Sequence, residues 1–178
     1  MFKSGVGFLA LFGLGWWLLG TSAFNGPARL VPVVAGCVVA VALMLAARHF
    51  LSQAAGLRFS AHQRLRFNQI NGAQWLLIVV VAVVCGLAGV PVLVPPLVAL
   101  VVGLHFLPLA RVFEQPRLLV PSVLLVAAGA AGMVVWVADG PAESVRLVVG
   151  LTAALSLWGT AIWTVAEGAI SSRRSAGQ

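Results

Sequence analysis

Six apolar runs, each near the length of a bilayer-crossing helix, leave this chain little freedom in fold class. They cover Gly5–Ala23, Leu30–Ala47, Gln69–Leu87, Val92–Leu109, Leu118–Val137 and Val145–Val165. A spanning helix needs about 20 mainly apolar residues. Inside hydrocarbon every backbone N–H and C=O must be satisfied within the segment, so runs of this length predict helices. The expected architecture is all-α: a polytopic membrane protein with six transmembrane helices, arranged as three hairpins in one compact bundle spanning residues 1–178. Composition agrees, with 61% hydrophobic and 8% charged residues, where a soluble domain carries roughly a quarter charged residues.

Between the runs lie turn signals: Asn25-Gly26-Pro27, Gly89-Val90-Pro91, Gln115-Pro116 and Asp139-Gly140-Pro141. Proline fixes φ and glycine permits positive φ, so each stops one helix and starts the next. Lys3 ahead of the first run and Thr21-Ser22-Ala23 behind it also fit a signal peptide. The Trp16-Trp17 pair reads as an interfacial anchor and favours a retained first helix.

The formal charge of +7 does not indicate nucleic acid, because the arginines sit between apolar runs and not along one face. Lys3, Arg48, Arg58, Arg64, Arg66, Arg111, Arg117, Arg173 and Arg174 fall on one side of the predicted bundle, and Arg29 and Arg146 on the other. By the positive-inside rule the first side, with both termini, is cytoplasmic. Residues 48–68 form the one substantial loop, a basic collar in which Arg58, Arg64 and Arg66 are expected to meet anionic lipids. Its second half, from Ala61, is expected to extend the third helix, with Ser60 as N-cap. Cys37 and Cys85 lie inside apolar runs and read as small core residues, with no disulfide.

Leu30–Phe50 and Leu93–Phe113 align without gaps, sharing Leu-Val-Pro at the start and Ala-Arg near the end. The repeated unit is a two-helix hairpin related by an axis along the membrane normal. Cohesion is expected from the small residues Ala127–Gly132, from Gly150 and Ala154, and from the stripe Thr152, Ser156, Thr160 and Thr164. In lipid, helices associate through close backbone approach and interhelical hydrogen bonds. The stripe also fits a polar path.

No nucleophile elbow, zinc-binding His pair, phosphate loop or paired intramembrane carboxylates occur in the sequence. An enzyme is not expected, nor a cofactor or metal. One polar cluster stands out near the cytoplasmic side. Pro108 is expected to break the fourth helix and free the Leu104 carbonyl. His105 lies in that turn, and Arg111 follows it. Arg64, Asn68, Asn71 and Trp75 share a helical face at similar depth, with Gln74 beside them, and Glu167 supplies the nearby acid. Two readings stay open. The cluster handles a ligand or proton, or it is structural, with Asn71 answering His105 and with Arg48 or Arg111 pairing Glu167.

The run Gly103-Leu104-His105-Phe106-Leu107-Pro108-Leu109-Ala110-Arg111-Val112-Phe113, preceded by Pro95-Pro96, resembles a motif of a family of bacterial six-helix membrane proteins with no assigned activity. The likeness covers about Phe67 to Leu125. It implies the same topology and weight on His105. In outline the hairpin repeat is also similar to acid-resistance membrane proteins of the HdeD type. The expected function is non-enzymatic, an envelope or stress component acting through partners, lipids or further copies of itself. The alternative is a small transporter or channel using His105, through a cavity between helices 3, 4 and 6.

Overall fold

The computed structural model describes residues 3–51 and 61–176. Six α-helices follow in order: α1 (Lys3–Thr21), α2 (Leu30–Phe50), α3 (Ala61–Leu87), α4 (Val94–Val112), α5 (Leu119–Val137) and α6 (Ala142–Ala176). Five of the six are long and apolar enough to cross a membrane, and the apolar part of α1, Gly5–Thr21, is shorter. Short 3-10 turns opening on or just before proline, at Gly26–Arg29, Pro91–Leu93 and Pro116–Leu118, lead into α2, α4 and α5. Proline suits these first positions because its missing N–H has no intrahelical acceptor there in any case. The bundle is all-α, as the apolar runs required.

The order in space is α2, α1, α6, α5, α4, α3. Helix α6 runs through the centre, packed mainly on α1 and α5, while α3 lies at the edge and, among the described residues, packs chiefly along α4. Residues 61–68 are helical, so α3 starts at Ala61, as expected for the second half of the basic segment. Ser60 and Arg58 lie outside the described residues.

The α1–α6 contact is set by two glycines. A Cβ on Gly150 would meet the Gly20 backbone, with Gly20 Cα at 2.6 Å and the Trp16 carbonyl at 2.7 Å. Two tryptophans lock the neighbouring turns. Trp158 of α6 lies over Gly13 and donates from Nε1 to the Ala10 carbonyl at 3.1 Å. Trp17 of α1 lies over Gly36 of α2 and donates to the Pro32 carbonyl at 2.6 Å. The two indoles face each other at 5.3 Å. Trp16 is buried and Trp17 half-buried, so both pack within the bundle. A glycine leaves room for an indole, and the carbonyl beneath it satisfies the N–H without water.

On the opposite flank, Ser122 donates to the Gly103 carbonyl at 2.7 Å, joining α5 to α4. Ser156, Thr160 and Thr164 are buried, whereas Thr152 is exposed. Steps of four residues drift around a helix of 3.6 residues per turn, so the stripe leaves the packed face at its N-terminal end. Thr160 and Thr164 donate to the carbonyls four residues back, at 2.9 and 2.8 Å. Both bonds run within α6. Cys85 is buried but Cys37 is exposed, on the outer face of α2, which corrects its reading as a core residue.

Three turns repeat one device. Gly89, Glu114 and Asp139 adopt positive φ, and each stands two residues before a proline. In each, the next N–H reaches back five residues at 2.9 Å: Val90 to Cys85, Gln115 to Ala110, Gly140 to Val135. This is the Schellman ending of a helix. In the last turn the left-handed residue is Asp139 and not the adjacent Gly140, contrary to the expectation that glycine takes it.

Gly26 and Gly89, which stand at the offset of the sequence repeat, both have positive φ. Tertiary packing does not follow the repeat. The trailing helices α2 and α4 both touch α6, but the leading helices differ: α1 lies along α6, whereas α3 stays outside against α4.

Candidate functional site

One end of the bundle collects the end of α2, the start of α3, the α4–α5 turn and the end of α6. It carries Arg48, Arg64, Arg66 and Arg111, all exposed. The rings of Phe67 and Phe113, 5.7 Å apart, hold the first turns of α3 against the last turn of α4. They cap a small apolar cluster of Leu109, Ala110 and Leu118, with Ile70 and Phe106 packed on it. Arg64, Arg66 and Arg111 are thereby gathered at one end. The far end carries Arg29 and Arg146, and Arg146 bonds Glu143 at 2.9 Å.

Glu167 forms an ion pair with Arg117, tying the end of α6 to the start of α5. The sequence reading had Arg48 or Arg111 in that role. Arg117 holds it because α5 and α6 are adjacent, which brings the start of one to the end of the other, whereas the Arg48 and Arg111 side chains are exposed.

Helix α4 is continuous through Pro108. The proline removes one internal hydrogen bond but does not break the helix, contrary to expectation. His105 turns towards α3, where its imidazole meets the Ile70 carbonyl. Its Nδ1 is buried and has no partner. No hydrogen bond from Asn68, Asn71 or Gln74 to His105 occurs among the described residues.

The packed face of α3 runs through Phe67, Ile70, Asn71, Gln74, Ile78, Val81 and Cys85, the least exposed positions of the helix. Three-four spacing of this kind is the seam of two closely paired helices. Asn71 and Gln74 lie in that seam beside His105. Arg64, Asn68 and Trp75 are exposed, so the polar face inferred from spacing is rotated by about one residue from the true contact. The cluster is a two-helix seam between α3 and α4. Helix α6 touches α4 but does not pack along α3 among the described residues, so the three helices expected to enclose a cavity do not meet as a trio.

The sequence reading missed Arg117. Its signal was available, a basic residue opening one long helix and an acid closing the next. It also missed the open groove beside the α4–α5 turn, of about 700 Å³, lined by Leu107, Pro108, Arg111, Glu114, Pro116 and Leu119 among others. Of the sequence-chosen site residues, only Arg111 and Pro108 line it.

These helices and their exposed apolar surface define a multi-pass α-helical membrane protein in contact with the lipid bilayer. No protein-family model, curated protein or solved structure matches the chain.

Proposed function

We propose that the chain is a non-enzymatic protein of a bacterial cytoplasmic membrane, with both termini in the cytoplasm, acting through contacts at its basic end. The single observation carrying this reading is the exposure of Arg48, Arg64, Arg66 and Arg111 at one end of the bundle. Anionic lipid attracts such residues at about 1 kcal/mol each. Arg58 belongs to the same collar by sequence. Helix α3, covered on one side only, is the element best exposed to a partner or a second copy, as in an envelope or stress component. The resemblance to six-helix bacterial membrane proteins accords with this reading and adds no activity.

Sidedness is tested on a background with Cys37→Ser and Cys85→Ala. A cysteine at Asp139 should react with a membrane-impermeant maleimide on intact cells, and one at Arg66 only after lysis. Labelling of both from the same face would end the topology.

A second reading has its own observation. The unpartnered Nδ1 of His105 beside Asn71 and Gln74 is a polar atom at membrane depth, the kind of group that carries protons in transporters. Purified protein in liposomes with an imposed pH gradient would then show a proton leak that His105→Asn abolishes. Equal leak from both proteins would leave the structural role.

A further inference from the structure

The groove beside the α4–α5 turn joins two chemistries. Leu107 and Leu119 are exposed apolar residues that open it to the side of the bundle. Arg111 and Glu114, both exposed, stand where the spans Pro91–Val112 and Pro116–Val137 meet. They are three residues apart, yet no ion pair joins them among the described residues, where Arg117 pairs with Glu167 and Arg146 with Glu143. The reason lies in the backbone. Glu114 has φ of 52°, which takes it off the helix and out of the spacing at which such residues pair. One cation and one anion therefore remain open to a ligand, above an apolar floor.

We propose that this groove binds a glycerophospholipid with a primary-amine headgroup. Its phosphate rests on Arg111, its ammonium on Glu114, and an acyl chain lies along Leu107, Pro108 and Leu119. A guanidinium matches two phosphate oxygens at once. A primary ammonium has three N–H donors for the carboxylate, whereas a trimethylated one has none. A purely anionic headgroup would meet the Glu114 carboxylate with like charge. The proposal deepens the lipid-facing reading of the basic end and rests on it only in placing that end at headgroup level.

The test uses the full chain in detergent, with phosphatidylethanolamine, phosphatidylcholine and phosphatidylglycerol of identical acyl chains, and mass spectrometry of the intact protein. One phosphatidylethanolamine should be retained about tenfold more strongly than either other lipid, the factor one charge-assisted hydrogen bond supplies. Glu114→Gln should remove the preference over phosphatidylcholine. Arg111→Gln should weaken retention of the bound lipid, and Arg111→Lys should restore it in part. Both side chains are exposed, so equal melting temperatures in lipid-free micelles are expected. Equal retention of the ethanolamine and choline lipids by the unmodified protein would overturn the proposal, as would an unchanged preference in Glu114→Gln. The collar is scored separately through Arg64→Gln with Arg66→Gln. That pair should reduce phosphatidylglycerol binding and leave the groove's preference intact. Unchanged phosphatidylglycerol binding would sink the collar reading while the groove stands.

Discussion

Replacing Gly150 by alanine probes the contact on which the bundle turns. The new Cβ would lie 2.6 Å from Gly20 Cα and 2.7 Å from the Trp16 carbonyl, and both are backbone atoms that no rotamer change can move. Ordinary carbon contacts begin near 3.5 Å, so α1 and α6 must separate by roughly 1 Å. Overpacking of this kind costs about 1–3 kcal/mol, and backbone against backbone belongs at the upper end. The same separation stretches the Trp158 bond to Ala10, worth about 1 kcal/mol. Alanine returns about 1 kcal/mol of helix propensity over glycine. The expected net loss is about 2–3 kcal/mol.

Gly72 provides the control, since a Cβ there meets nothing within 4 Å and only the propensity gain remains. Reversible unfolding in mixed micelles, followed by tryptophan fluorescence, should separate the two variants by about 3 kcal/mol in opposite directions from the parent. Trp16, Trp17 and Trp158 all report on the α1–α6 region. A Gly150→Ala protein as stable as Gly72→Ala would refute the reasoning, because it would mean that the glycine contact does not set the helix distance.

Two further outcomes follow from particular atoms. Asp139 holds φ of 55°, a region costing roughly 1–2 kcal/mol for a residue with a Cβ. Asp139→Gly should therefore raise stability by up to about 1 kcal/mol, and Gly89→Ala should lower it similarly; opposite signs in the same unfolding assay would show that the turns do not need these conformations. His105→Leu should stay within about 1 kcal/mol of the parent, because it removes one contact with the Ile70 carbonyl and also one buried nitrogen without a partner. A drop beyond about 2 kcal/mol would show that His105 holds the α3–α4 seam together.

Hydropathy determined the six helices, because lipid offers no partner for a bare backbone group and each span must be helical over a length fixed by the bilayer, and proline with glycine marked the turns. The distribution of arginine along the chain likewise separates the two ends of the bundle. Tertiary structure decided which residues face inward. In water a buried face announces itself by being apolar, but a lipid tail and a neighbouring helix are equally apolar, so the exposed Val79 and Val83 read no differently from the buried Val145 and Val149. For that reason the α3 seam fell one residue away from its expected place, and Trp16 and Trp17 went inward. It is also why the partner of Glu167 depended on which helices are neighbours, a fact that the order of apolar runs does not contain.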